Sequence, residues 1–354
     1  MTTTTATVPT LGAGLPVALG EIDRQIKKLW EASGNVATRA SLMNLAVYCE
    51  GREAMPENSA LIGRITASHA CRAILICAEP DRPAEGVQSW ISAHCHTSRA
   101  GAKQICCEQI TFLLEGASRH LIPNIVFSHL DSDLPLYLWW RGEFPDPIDR
   151  SLWTWVDRLI YDSNGWRDQC AQLRLMRKSL ADAKGRITLC DLNWTRSLYF
   201  RQAISSVFDH PENLAFLPSL ERVAITHAPG FRFTAHLLAC WLATRLGWQC
   251  RTQRAGGIDF ITAKGNTVAV DFAEADGPSL SRCEIVAEGT SFLFSRESGS
   301  SFLNVTSSYR DGRHLSVLMA TGEETPDALL DEELSRGGRH RVYLQTLAMA
   351  EDLF

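Results

Sequence analysis

The spacing of apolar positions divides the chain into two stretches of different character. Over residues 21–32 Ile22, Ile26, Leu29 and Trp30 recur at the helical period, and Asp23 and Lys27 form an i,i+4 pair on the wet side. This predicts an amphipathic helix over Glu21–Ala32. Leu42–Cys49 and Arg72–Ala78 are short, almost unbroken apolar runs, as expected of strands buried on both faces. Between them Leu61, Ile62 and Ile65 line one side of a helix predicted over Asn58–His69, with Asn58 as its cap. Strand, helix and strand within about 40 residues read as a βαβ unit. Ser89–His96 and Gln104–Leu114 read as paired strands joined by a hairpin loop, Thr97–Lys103. A helix over Ala117–Leu130, which Pro123 must either start or break, then precedes strands at Leu134–Trp140 and Asp157–Ser163 and a helix over Gly165–Ala183.

Helices are predicted at Thr195–Phe208 and Phe231–Leu246, the second closed by Gly247. From Trp248 the period falls to two. Runs at 248–253, 258–263, 267–274, 282–287, 290–296, 301–307 and 314–320 are separated by Gly, Asp or Ser, and Gly265-Asn266 marks a hairpin turn. A last helix is predicted over Tyr343–Leu353. The fold class is therefore α/β (α+β). Residues 1–40 form a flexible tail and N-terminal helix, and 41–183 form a layered α/β domain. Residues 184–354 form a helical segment and an antiparallel sheet flanked by helices.

Composition narrows the function classes. With 354 residues, two domains are the natural expectation. The net charge of -5 lacks the basic excess of a dedicated nucleic-acid binder. The longest apolar stretches, such as Leu134–Trp140, are far short of the roughly 20 residues of a membrane span. The first 20 residues carry no Lys or Arg, so no secretory leader is expected and the location expected is cytoplasmic. The 11 cysteines are scattered and odd in number, which suits mostly reduced, buried thiols.

Enzyme motifs are largely missing. There is no G-x-G-x-x-G between a strand and a helix, no P-loop, no H-E-x-x-H, no C-x-x-C and no G-x-S-x-G. No catalytic residue and no cofactor is assigned. Three constellations still carry possible chemistry. His94 and His96 share one face of a strand, and a thiolate from the next strand, Cys106, would give a third zinc ligand. Against this, the spacing fits no standard zinc finger and a fourth ligand is missing. Cys95, Cys106 and Cys107 are the candidate redox thiols; adjacent Cys106 and Cys107 point to opposite faces, so a bond between them is disfavoured. The run Tyr137, Trp139, Trp140, Arg141 and Gly142 holds residue types enriched in binding hot spots. Its competing reading is a pair of core tryptophans with Arg141 ion-paired. Arg72, Arg141 and Arg158 would be the phosphate ligands of a sugar-phosphate sensor.

Taken in order, LMNLAVYCE (42–50), CRAILICAEPD (71–81), WISAHCH (90–96), QICCEQITFLLEG (104–116), DLPLYLWWRGEFP (133–145), DRLIYDS (157–163), LNWTRSLYFRQAISSVFD (192–209) and LACWLATRLGW (238–248) resemble the OpcA family of glucose-6-phosphate dehydrogenase assembly proteins. The resemblance runs from about Ser41 to Trp248. It implies a non-catalytic partner that binds glucose-6-phosphate dehydrogenase, promotes its active oligomer and regulates the oxidative pentose phosphate pathway, with redox sensitivity. The partner-binding candidates are then Tyr137, Trp139, Trp140, Arg141 and Gly142. A zinc-dependent enzyme and a sugar-phosphate sensor are the alternatives.

Overall fold

A computed structural model describes residues 14–33, 37–97, 104–116 and 118–353. The tail expected at the extreme N-terminus and most of the loop after Thr97 lie outside them. Contacts divide the chain into two units: 1–161 with 175–190, and 162–174 with 191–354. The division is interleaved, whereas the sequence suggested a single cut after residue 183.

The first unit carries β1 (Leu15–Val17), α1 (Ile22–Ser33), β2 (Ala37–Arg39), β3 (Met43–Glu50), α2 (Met55–Ile65), β4 (Cys71–Glu79), β5 (Gly86–Thr97), β6 (Gln104–Glu115), β7 (Leu136–Trp140) and β8 (Arg158–Tyr161). Next come α3 (Gln169–Asp182), which starts in the second unit and ends in the first, and β9 (Thr188–Asp191). The strands form one nine-stranded sheet in the order β1-β5-β6-β4-β3-β7-β8-β9, with β2 against β6. β3 is parallel to β4 and β7, β4 to β6, and β7 to β8. With the antiparallel β5 set aside, the strands β3, β4, β6, β7, β8 and β9 run in the spatial order 3-2-1-4-5-6 of a doubly wound α/β sheet. Burial explains the sequence pattern: seven of the eight residues of β3 are buried, as a strand covered on both faces requires.

Two expected helices differ. Asn58 does not cap α2, which begins three residues earlier; its side-chain amide donates to the Ala54 carbonyl, 2.7 Å away, inside the first turn. From Ser118 the chain forms short 3₁₀ and π turns through His129 instead of a regular helix. Pro123, which has no N–H, lies within them.

The second unit contains α4 (Leu192–Arg196), α5 (Leu198–Phe208), α6 (Pro211–Leu214), β10 (Leu220–His227), α7 (Arg232–Leu246), β11 (Gln249–Arg254), β12 (Gly257–Ile261), β13 (Thr267–Glu274), β14 (Leu280–Ala287), β15 (Thr290–Ser295), β16 (Phe302–Ser308), β17 (His314–Ala320), α8 (Pro326–Leu334) and α9 (Arg341–Leu353). Its eight strands run β11-β12-β13-β10-β14-β15-β16-β17. All seven runs read after Trp248 are strands. The sheet is not wholly antiparallel, because β10 enters its middle and pairs parallel with β13. Helix α7 packs on β10 and β13, and α5 on β15 and β16. The side chains of Val223, Ile225, Ile285, Phe292 and Phe294 fill the core on that face. Gly247 ends α7 at φ +66°, a left-handed position that suits glycine. Among the described residues no helix is long and apolar enough to cross a membrane.

Candidate functional site

In a doubly wound sheet, ligands bind beyond the carboxyl ends of the strands, where the strand order reverses. Here that point lies between β3 and β7. The first turn of the unit, Glu50-Gly51-Arg52, has Gly51 at φ +84°. A side chain at 51 would collide with the Glu53 carboxylate, which folds back over the turn.

Three neighbouring parallel strands each end in a glutamate: Glu50 on β3, Glu79 on β4 and Glu115 on β6. Arg52 ties two of them together. Its Nε and Nη2 donate to the two oxygens of Glu79, and Nη2 also to Glu115, all at 3.1 Å. Arg82 donates to Glu79 as well, at 3.1 Å. The hydrogen bond from Arg52 is the main reason the Glu79 carboxyl lies below the usual carboxylate range. Glu50 accepts from the Tyr48 hydroxyl at 3.1 Å and has Arg119 3.6 Å away. At the crevice itself Arg141, one residue past β7, sits over the first turn of α2. There it donates to Glu57 at 3.2 Å and to the Asn58 side-chain oxygen Oδ1.

This arrangement does not fit a dinucleotide. A pyrophosphate at the first turn would face Glu50, Glu53, Glu79 and Glu115, and the guanidiniums nearby are already committed to those carboxylates. Titrating the protein with NADPH should therefore show no saturable change in nicotinamide fluorescence; a tight binding isotherm would contradict this reading of the crevice.

The aromatic run proves to be core. Trp139 and Trp140 are 2% and 3% exposed, which corrects the expectation that one of them faces a partner. Consecutive residues 138–140 of β7 are buried, so both faces of the sheet are covered there. Trp140 stacks between Tyr48, with ring centroids 3.7 Å apart, and Phe144, at 5.1 Å. Tyr137 is half-buried with Arg158 over its ring, and Gly142 takes φ +111° at the turn out of β7. Arg141 is the ion-paired residue of the competing reading.

The three arginines considered for phosphate do not converge. Arg72 lies near the start of β4 and pairs with Glu108 at 3.0 Å. Arg141 lies past the other end of the sheet. Arg158 is buried, against Tyr137 and 3.6 Å from the Cys190 sulfur.

The zinc candidates are likewise separated. His94 and His96 face α2, and each imidazole is already hydrogen-bonded through Nε2. His94 donates to Gln109 Oε1 at 2.8 Å. His96 bonds the Thr66 hydroxyl at 3.1 Å; that hydroxyl donates to Gly63, so the imidazole is the donor. The close packing of His94 also explains a glycine within α2, since a Cβ on Gly63 would lie 3.0 Å from the imidazole Nδ1. Cys106 projects from the opposite face of the hairpin and is bonded elsewhere.

That bond is a disulfide, Cys95–Cys106, between directly opposed residues of β5 and β6. Cys95 is exposed and Cys106 buried, so a thiolate reaches the bond from the Cys95 side. Cys107 faces the other way, toward the Ala40 carbonyl, and burial raises its pKa, which makes it a poor nucleophile. The sequence placed all three thiols together but did not identify this pair. Strand register was the missing information, since only it sets 95 against 106. Opening the bond, by dithiothreitol or by C95S with C106S, should cost no more than about 3 kcal/mol, because the closed loop is short and the strands remain paired. The urea midpoint checks this, and a loss well beyond that bound would contradict it.

The second unit holds a buried polar cluster that sequence reasoning missed. Asp191, 1% exposed, accepts from the backbone N–H of Ser163 at 3.0 Å and of Asn193 at 2.9 Å. It also accepts from the hydroxyls of Ser163 at 2.7 Å and Tyr343 at 3.0 Å. Asn193 donates to the Ser163 hydroxyl at 3.1 Å and accepts from Thr234. Beside it Arg196 holds Asp162 with both guanidinium nitrogens, at 2.7 and 2.6 Å. The signal lay in the D-L-N-W-T-R string at 191–196, where Asp precedes a helix start.

Fold and site together define a doubly wound α/β unit whose strand ends carry arginine-clamped carboxylates. The sequence places it in a family. Residues 63–178 match the "glucose-6-phosphate dehydrogenase subunit N-terminal domain" and residues 187–347 the corresponding C-terminal domain. The chain belongs to the OpcA family. It is 26% identical to the OxPP cycle protein OpcA of Synechococcus elongatus over 317 residues, covering 80% of this chain and 68% of that protein. The Nostoc punctiforme OpcA is 26% identical over 293 residues, covering 76% of this chain and 62% of its own. The Synechocystis OpcA is 30% identical over 203 residues, covering 54% and 40%. The chain thus matches between 40% and 68% of the length of these relatives. Among solved structures, the aldose-aldose oxidoreductase of Caulobacter crescentus aligns over 88% of this chain and 95% of its own, with 10% identity and a TM-score of 0.48. A likeness at that level carries no conclusion about activity.

Proposed function

We propose that the chain is a non-catalytic assembly factor that binds glucose-6-phosphate dehydrogenase in the cytoplasm, promotes its active oligomer and so regulates the oxidative pentose phosphate pathway. Membership of a family described by the glucose-6-phosphate dehydrogenase subunit carries this reading. The acidic strand ends support it, because they leave the chain without a dinucleotide cradle of its own.

The mechanism needs only differential affinity. A protein that binds the active state of the enzyme more tightly shifts the population toward it by that difference and no more. A tenfold change in apparent substrate affinity needs about 1.4 kcal/mol of coupling. One interface of roughly 1,600 Å² can supply that. Redox control would act at Cys95–Cys106, the bonded pair with an accessible sulfur. The test is to mix the chain with the dehydrogenase, with and without dithiothreitol, and follow activity and co-elution. A C95S variant whose effect no longer responds to dithiothreitol would support the disulfide as the control point. A response that survives C95S would remove it.

A further inference from the structure

The second sheet ends in two very different edge strands. At one edge, β11 is exposed along its whole length and carries Gln249, Arg251, Gln253 and Arg254 but no large apolar side chain. This is the usual protection of an open edge. At the other edge, β17 is equally open and reads His-Leu-Ser-Val-Leu-Met-Ala. It has no Lys, Arg, Asp, Glu or Pro. Leu315, Val317 and Leu318 are 56%, 58% and 66% exposed, and Phe302 on adjacent β16 is 50% exposed. Long, apolar, unprotected edges of this kind pair with another strand.

The register with β16 shows how its side chains are distributed. Leu315, Val317 and Met319 stand opposite Ser307, Val305 and Leu303 and share the helix-side face; Ser316, Leu318 and Ala320 share the outer face. The helical layer does not cover the first set. Between α5 and β17 lies a groove of about 320 Å³, apolar along Val305, Leu315, Val317 and Met319 and polar at His210 and Glu212.

We propose that a second copy of this chain occupies this edge, its β17 antiparallel to the first about a two-fold axis at Val317. The strand is suited to pairing with itself. An axis at 317 sets Val317 against Val317, and Leu315 against Met319 of the second copy, so every strand pair on the groove side is apolar. The outer face pairs Ser316 with Leu318 and His314 with Ala320, with no like charges opposed. A seven-residue strand is about 24 Å long. Side chains on both faces then cover several hundred Å² per copy, at the small end of stable interfaces. The dimer should therefore be of roughly micromolar affinity. The proposal does not rest on the dehydrogenase reading above, and its test uses the chain alone.

Sedimentation velocity of the full chain, from roughly 1 to 100 μM, should show monomers associating to dimers. V317K sets two ammonium groups against each other at the axis, and V317E two carboxylates. Each alone should associate at least tenfold more weakly, and their mixture should dimerise again. T252K on β11 should dimerise like the wild type. Far-UV circular dichroism establishes that each variant is folded. Concentration-dependent protection of β17 amides in hydrogen exchange of the wild type gives a readout that needs no substitution. A wild-type monomer at the highest concentration would overturn the proposal. So would association of both charge variants as tight as that of the wild type, or failure of their mixture to associate.

Discussion

Asp191→Ala should cost the second unit about 3–5 kcal/mol, enough to remove much of the stability of an ordinary domain. The substitution removes the acceptor of two backbone N–H groups and two hydroxyls, all within a cluster sealed from water. Asp191→Asn should be far milder. Its carbonyl oxygen can keep both backbone donors, and its amide can donate to the Ser163 and Tyr343 hydroxyls, which rotate to accept. The pair also has a pH signature. Burial, with Asp162 nearby adding to it, pushes the Asp191 carboxyl up to about 6 from its ordinary value of 3.8. The fold therefore favours the protonated form. That contribution is fully present below the unfolded value and is lost as pH rises through about 6, a change of about 3 kcal/mol. Urea midpoints at pH 4.5 and 7 should show the wild type losing stability relative to D191N across that interval. Parallel profiles for the two proteins would mean that Asp191 does not titrate there.

Trp140→Ala should cost the first unit about 3–5 kcal/mol, the range for emptying a buried tryptophan site. The indole is stacked between Tyr48 and Phe144, and its Nε1 donates to the Glu143 carbonyl at 3.1 Å. Phe144 in turn meets Tyr161 edge-on, so the cavity opens at the centre of an aromatic column. Trp140→Phe keeps the stack and loses the indole donor, and it should recover most of the difference. The thermal midpoint of each variant decides between core and surface. If W140A melts like the wild type but no longer binds a partner, Trp140 is a contact residue and its burial here is wrong.

The parts of the fold that were legible in the sequence are those where one periodicity dominates. β3 and β4 announced themselves as unbroken apolar runs because parallel strands covered on both faces have no polar side. β14 and β15 alternate cleanly because helices pack on one face of their sheet. What escaped was short or mixed. β9 has four residues. β10, the strand that turns an antiparallel sheet into a mixed one, interrupts its alternation with Glu221 and Arg222 side by side. The strand-end site was invisible for a different reason. Glu50, Glu79 and Glu115 are far apart in the chain, and only the parallel register of β3, β4 and β6 makes them neighbours. Residue type alone suggested Trp139 and Trp140 as partner contacts, but exposure is set by what covers each face of the sheet, and both faces of β7 are covered at 138–140.

The central claim is that this chain acts on glucose-6-phosphate dehydrogenase, and mixing the two proteins tests it most directly. Purified chain is added to the dehydrogenase from the same source, and activity against glucose 6-phosphate is followed together with elution on a sizing column. The account predicts a shared, larger peak and raised activity that saturates with added chain. Separate peaks and an unchanged rate, with and without dithiothreitol, would contradict it.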